Sequence, residues 1–302
     1  MCNSKNVKTA VALGTFDGLH KGHLAVINKA VIQKDNGLLP CVLLFSEHPQ
    51  EVLSSKPPKM LMTNDMRQSL IKSLGCESRV ISFREICNMT AEEFVSAILK
   101  DRLGAAFVSC GFNFRFGKNG MGDTTILKEL CKKHNIELSV ADEVDFEGKA
   151  ISSTEIRKAI ENGETEKAAS MLGRLFSYNF TVEHGDERGR TLGFPTVNQF
   201  FPKDFIVPRF GVYASVAKID GNIYPAVTNI GNRPTIGTMS VRSETNIMGF
   251  KGDLYGQRPQ IALIRHLRDE IKFNSLKELK DQIDTDSKKA LIVYGEKKWE
   301  LS

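Results

Sequence analysis

The sequence is poor in the features that mark several large protein classes. It holds a single tryptophan in 302 residues, six cysteines and no C-x-x-C pair, and no long apolar run. Cys41-Val42-Leu43-Leu44-Phe45 is typical of its longest wholly apolar stretches, far short of the roughly 18 to 20 residues that a membrane span needs. All six cysteines (Cys2, Cys41, Cys76, Cys87, Cys110 and Cys131) fall in the first 131 residues without zinc-ligand spacing, which excludes a disulfide scaffold and predicts reduced thiols, most of them buried. The segment Met1–Lys8 is polar and carries no secretory pattern, so a soluble, cytoplasmic protein with no membrane partner is expected. With 41% hydrophobic and 25% charged residues, neither disorder nor a collagen-like fibre fits.

Charge of one sign is also never concentrated. Residues 1–150 hold 19 basic and 17 acidic groups and residues 151–302 hold 22 and 19, for a net charge of +5 over the chain. So even a spread suits small anions as well as polyanions, but no helix-turn-helix and no basic patch with interleaved aromatics is present. No nucleic-acid partner is expected.

What is present is a strong alternation. Val7–Leu13, Pro40–Phe45, Arg79–Phe83, Ala106–Cys110 and Ile136–Val140 read as strands. Between them His23–Gln33, Asn64–Leu74, Ala91–Leu103 and Thr124–His134 read as helices. This predicts βαβ units on a parallel sheet, a Rossmann-like α/β domain, with ligands at the carboxyl ends of the strands, where Gly14–Gly22 and Gly111–Asp123 form loops. Two helical stretches follow, Thr154–Glu161 and Glu164–Leu172, separated by Asn162-Gly163. From Ser177 the texture changes to β-rich runs (Tyr178–Glu183, Gly211–Ile219, Ile223–Ile230, Ser243–Gly249 and Gln260–Leu267) punctuated by Gly, Pro and Asn, with one strongly helical stretch at Ser275–Asp284. The expected architecture is an antiparallel β-barrel closed by a C-terminal helix, with domains at 1–175 and 176–302.

Gly14-Thr15-Phe16-Asp17-Gly18-Leu19-His20-Lys21-Gly22-His23 lies between a strand and a helix. Its glycines let backbone N–H groups approach a phosphate, and the helix start favours anions. It is not a Walker loop, because the G-x-x-x-x-G-K-[ST] spacing is absent. The stretch resembles the G-x-F-D-G-x-H-x-G-H signature of the nucleotidyltransferase superfamily, in the form found in bifunctional bacterial riboflavin kinase/FAD synthetases. The resemblance implies ATP phosphate contacts from Gly14, Phe16, Asp17, Gly18, His20 and His23, with the two histidines stabilising charge on the α-phosphate as pyrophosphate leaves. Gly111-Phe112-Asn113-Phe114-Arg115-Phe116-Gly117 is similar to the flavin- and nucleotide-contacting loop of that family, which implies roles for Asn113 and Arg115. Ile151-Ser152-Ser153-Thr154-Glu155-Ile156-Arg157 resembles I-S-S-T-x-I-R, implying that Ser153, Thr154 and Arg157 hold the triphosphate; Ser152-x-x-Glu155 is also a capping box. Where the family shows T-F-x-P-H-P, this chain has Leu44-Phe45-Ser46-Glu47-His48-Pro49, which keeps His48-Pro49; the resemblance implies a flavin or nucleotide contact for His48.

Residues 185–198 resemble the riboflavin kinase signature G-x-x-x-G-R-x-x-G-F-P-T-x-N in register, which implies ATP and Mg²⁺ binding by Gly189, Arg190, Gly193, Pro195, Thr196 and Asn198. Thr196 and Asn198, two apart on an extended segment, project to one side and can share Mg²⁺ and phosphate oxygens. The family motif E-x-H-x-x-D-F aligns on Glu244 to Phe250, with Asn246 and Gly249 replacing the His and Asp. Glu244 is thereby implied as the base that accepts the ribityl hydroxyl proton. Leu267-Arg268-x-x-x-Lys272-Phe273 matches L-R-x-x-x-K-F, where Arg268 either binds flavin or pairs with Asp269 or Glu270. The resemblance spans residues 7–290 and implies two ATP-consuming steps, riboflavin to FMN and FMN to FAD, both requiring Mg²⁺.

Overall fold

The computed structural model describes residues 7–54, 56–184, 196–235 and 238–296. The chain divides into two compact units: residues 1–58 with 64–152, and residues 59–63 with 153–302.

In the first unit five strands form a wholly parallel sheet: β1 (Thr9–Leu13), β2 (Leu39–Phe45), β3 (Glu77–Ile81), β4 (Ala105–Gly111) and β5 (Glu137–Ala141). Helices α1 (Lys21–Val31), α2 (Pro49–Leu53), α3 (Asn64–Ser73), α4 (Phe83–Ile86), α5 (Ala91–Glu93, continuing as a π-helical stretch Phe94–Arg102) and α6 (Thr124–Lys133) make the crossovers. The order β3-β2-β1-β4-β5 means that the chain winds outward from β1 to β3 and then restarts on the other side of β1 with β4. The switch between β1 and β4 opens a crevice at their carboxyl ends, where an open α/β sheet binds its ligand. All five residues of β1 are buried, as a central strand covered on both faces requires. Its Val11 and Leu13 share a core with Leu43, Phe94, Val108 and Leu127. A hairpin of β6 (Asp145–Phe146) and β7 (Lys149–Ala150) ends the unit.

The second unit begins with a helical pair, α7 (Ser153–Glu161) and α8 (Thr165–Leu172). Seven antiparallel strands follow: β8 (Phe176–Tyr178), β9 (Val182–Glu183), β10 (Thr196–Phe200), β11 (Gly211–Ile219), β12 (Asn222–Thr235), β13 (Thr238–Ile247) and β14 (Gln260–Arg268). They curl into a half-barrel in the order β8-β14-β11-β12-β13-β10-β9. Helix α9 (Leu276–Gly295) packs on β11, β12 and β14, with Ala290 and Val293 set against Ala214, Val216, Ala262 and Ile264. Fold class is therefore as expected in both halves.

The compact units divide at 152/153, and the change of sequence texture near 175 marks the start of the strands. Helix α8 belongs with those strands because the buried Thr165 hydroxyl donates to the Ile264 carbonyl of β14 at 2.9 Å. The run Tyr178–Glu183 is two strands, since β8 pairs with β14 and β9 with β10; between them Phe180 turns into an aromatic cluster with Tyr178, Phe201 and Phe205. Residues Lys59–Thr63 join the second unit through main-chain bonds from Met60 N–H to the Asp204 carbonyl (2.7 Å) and from Ile206 N–H to the Met60 carbonyl (2.9 Å).

Candidate active sites

The turn from β1 into α1 uses left-handed backbone at Phe16 (φ 51°), Gly18 (φ 76°) and Leu19 (φ 42°). This costly geometry folds Phe16 and Leu19 completely inward. The Phe16 ring lies against Gly14, where a Cβ would meet it at 3.1 Å, and edge-on to His23 at 5.3 Å. His20 caps α1: its Nδ1 accepts from the His23 N–H at 3.3 Å, and the two imidazoles stack at 3.7 Å between centroids. With Nδ1 accepting, the neutral His20 ring carries its proton on Nε2, a donor suited to phosphate oxygen. Gly22 leaves room for that ring, since a Cβ there would stand 3.3 Å from it. The start of an eleven-residue helix, whose dipole favours anions, and two stacked imidazoles thus share one turn.

Asp17 is buried in the same turn. Its carboxylate faces Arg67 of α3: burial pushes the guanidinium down from its ordinary value, and the charge of Asp17 opposes that shift. Arg67 Nη2 donates to Asn64 Oδ1 at 2.7 Å. Sequence reading missed Arg67, because only the fold brings α3 to the β1 turn.

At the end of β4, Asn113 is exposed beside the stacked Phe114 and Phe116 rings (5.7 Å). Arg115 stands 3.8 Å from Asp123, whose carboxylate caps α6 by accepting from Thr125 and Ile126 N–H. Since β4 adjoins β1, this loop and the histidine turn leave the sheet side by side. His48, after β2, caps α2 through Nδ1, which accepts from Gln50 N–H at 3.1 Å. Glu47 accepts from Ser46, Ser82 and the Phe83 N–H, and these bonds, Ser46 first, hold its carboxyl below the ordinary value. In place of the family pattern, this segment therefore ties β2 to the exit of β3. Ser153, Thr154 and Arg157 lie at the start of α7 in the second unit, where Arg157 Nε donates to the Lys59 carbonyl at 2.7 Å. Glu155 pairs with Lys158 at 2.8 Å.

In the second unit the register of β10, β13 and β12 does the assembling. Thr196 faces Asn246, Asn198 faces Glu244, and Asn229 faces Glu244 from the other side. Thr196, Asn229, Glu244, Asn246 and Arg268 line one cavity of about 280 Å³, roofed by Glu270, Ile271, Phe273 and α9. Glu244 forms an ion pair with Arg242, its neighbour two residues back on the same strand face. Asn198 is buried, and among the described residues its Oδ1 has no hydrogen-bond partner. An orphaned carbonyl oxygen near a hydroxyl and a carboxylate is a donor set that suits a hard, oxygen-preferring cation such as Mg²⁺. Arg268 also lines the cavity, but the carboxylate it binds is Asp286 of α9, at 3.0 and 2.8 Å, rather than Asp269 or Glu270; it reaches Asp269 only through the carbonyl. The Glu270 carboxylate instead presses on Gly231, where any Cβ would collide with it. Gly189, Arg190, Gly193 and Pro195 lie outside the described residues. Gly249 turns the chain after β13 at φ 79°.

Behind the cavity, on the opposite face of the same strands, the buried hydroxyls of Ser215, Thr228 and Thr245 form a ladder with spacings of 2.8 and 2.9 Å. It holds β11, β12 and β13 in register under the cavity residues. Among the described residues no helix is long and apolar enough to cross a membrane.

Comparison with known proteins agrees with this two-site reading. Residues 2–155 match the FAD synthetase family model and residues 172–293 the riboflavin kinase model. The bifunctional riboflavin kinase/FMN adenylyltransferase of Bacillus subtilis is 35% identical over 98% of this chain and 95% of its own. Its counterpart from Escherichia coli K12 is 33% identical over 94% and 92%. A crystal structure described as a macrolide-efflux protein from Streptococcus pneumoniae superposes with a TM-score of 0.86 at 30% identity, covering 94% of both chains. The chain belongs to the bifunctional riboflavin kinase/FMN adenylyltransferase family.

Proposed function

We propose that residues 176–302 phosphorylate riboflavin with ATP, giving FMN and ADP, and that residues 1–175 adenylylate FMN with a second ATP, giving FAD and pyrophosphate. The observation that carries the reading is the setting of Glu244, an ion-paired carboxylate in the wall of a cavity that also displays Thr196, Asn229 and Arg268.

In the kinase step Glu244 accepts the proton of the ribityl 5′-hydroxyl as its oxygen attacks the γ-phosphorus, and the bond to the ADP oxygen breaks. Thr196 and Asn198 would hold Mg²⁺, which when bound neutralises phosphate charge. Gly189, Arg190, Gly193 and Pro195 would bring backbone and a guanidinium to ATP. Arg268 orients the flavin, itself held by Asp286.

In the second step an FMN phosphate oxygen attacks the α-phosphorus and pyrophosphate leaves. A phosphate nucleophile is already deprotonated, so no general base is required. Catalysis rests on donors aimed at developing charge: the His20 and His23 imidazoles and the start of α1, with Gly14, Phe16, Asp17 and Gly18 shaping the approach. Ser153, Thr154 and Arg157 are assigned to the triphosphate, and Asn113, Arg115 and His48 to the flavin and nucleotide. With ATP and free flavins as substrates, the reactions belong in the cytoplasm.

A pair of variants tests the assignment. Glu244→Gln should lower FMN formation by about 10²- to 10⁴-fold, the range for a lost general base, while FAD formation from supplied FMN persists. His23→Ala should do the reverse. Glu244→Gln with full FMN formation would refute the base, and His23→Ala with full FAD formation would refute the phosphate site.

A further inference from the structure

We infer that Arg242 is the positioning residue for Glu244, fixing the carboxylate in the orientation that takes the substrate proton. The inference rests on the reading of Glu244 as the kinase base. Strand alternation puts Arg242, Glu244 and Asn246 on one face of β13, while Ser243 and Thr245 are wholly buried on the other. Among the described residues Glu244 and Asn246 line the cavity and Arg242 does not, so the ion pair with Glu244 is the contact through which Arg242 acts on the cavity.

The two partners differ in freedom. The Arg242 side chain is 12% exposed and that of Glu244 33%. Flanked in register by Phe200 of β10 and Gly231 of β12, Arg242 is the fixed member of the pair. Glutamate carries three side-chain torsions, and an unpartnered carboxylate at a cavity wall spreads over several rotamers. A guanidinium held on the same strand face selects one of them. On the other side of Glu244, Asn246 is neutral and offers no countercharge. The Glu270 carboxylate, seated on Gly231 directly across from Arg242, adds a second negative charge at this edge.

Positioning acts on the chemical step more than on flavin binding, and this separates it from a merely structural role. In the full-length protein with riboflavin, ATP and Mg²⁺, Arg242→Met should lower kcat for FMN formation by about 10²-fold, the loss typical of a misplaced reacting group. The riboflavin KM, riboflavin binding by fluorescence quenching, and FAD formation from supplied FMN should stay within about twofold. Arg242→Lys, which keeps the charge, should recover most of the loss. Arg242→Gln repeats the test should the methionine variant not fold. An unchanged kcat in Arg242→Met, a rise in KM in place of the fall in kcat, or a lysine variant no better than methionine would overturn the inference. Glu244→Gln run in parallel separates the two claims. If that variant keeps full kcat, the base reading fails and this inference with it; if it is inactive beside a fully active Arg242→Met, this inference alone fails.

Discussion

Arg268, at the end of β14, donates from Nε and Nη2 to one oxygen of Asp286 on α9, at 3.0 and 2.8 Å, while Gln282 donates to the other oxygen at 2.9 Å. Asp286 is only 2% exposed. Its carboxylate is thus fully bonded in a place water scarcely reaches, and it joins the closing helix to the wall of the kinase cavity. The Arg268 guanidinium also lies 5.9 Å from the Phe273 ring centroid, linking the roof of the cavity to the same anchor.

Removing one member of such a pair leaves a buried, unbalanced charge, at a cost of about 3–5 kcal/mol. Arg268 retains some solvent contact, so Asp286→Ala should cost about 3 kcal/mol, near the low end of that range. The check is the urea midpoint of the unfolding transition that riboflavin shifts, since ligand binding marks the transition of the kinase unit. The riboflavin KM should rise in the same variant.

The hydroxyl ladder under the cavity gives a second prediction. Thr228 is its middle rung, bonded to both Ser215 and Thr245. Thr228→Val keeps the shape and strips two buried hydroxyls of a partner, a loss of about 1–3 kcal/mol. The same urea transition reads it, with the riboflavin KM little changed because the ladder faces away from the cavity.

A third concerns alkaline pH. Burial pushes the thiols of Cys76 and Cys131 up to about 11 and that of Cys110 up to about 12, from an ordinary 9.0. In the folded chain these thiols keep their protons where the unfolded chain releases them. They therefore leave stability unchanged below about pH 9 and lower it as pH rises from there toward 11 and 12. Urea midpoints should hold level to pH 9 and then fall. At pH 8.5, peptide mapping after iodoacetamide should find Cys87 modified well ahead of the buried Cys41, Cys76, Cys110 and Cys131, which stay intact until unfolding.

Much of the architecture was legible because local pattern and global fold agree. Apolar runs bounded by turn residues pointed to the five parallel strands, and β11 was read to the residue because Gly211 opens its largely apolar run and the Asp220-Gly221 turn closes it. The end of α9 was not visible: Asp284, Asp286, Lys288 and Lys289 break the apolar pattern, and it takes the inward pairing of Asp286 and the packing of Ala290 and Val293 on the strands to explain why the helix runs on to Gly295. The switch at Phe180 was hidden for the opposite reason, since a hydrophobic residue between two short strands looks like part of one longer strand. For the sites, residues within contiguous motifs could be read in advance. Arg67, Arg242 and Asp286 could not, although Arg242 stands two positions from Glu244 on a recognisable strand. Their significance comes from what they touch in space: Asp17 for the first, Glu244 for the second and Arg268 for the third.

The most direct test is a time course of the purified protein with riboflavin, ATP and Mg²⁺, the flavins separated by chromatography, beside a parallel reaction begun from FMN. The account predicts FMN first and FAD after it in the one reaction, and FAD without delay in the other. FAD formed only from supplied FMN would contradict the kinase role given to Glu244 and its cavity. Riboflavin and FMN both left unconverted would contradict the two-step reading as a whole.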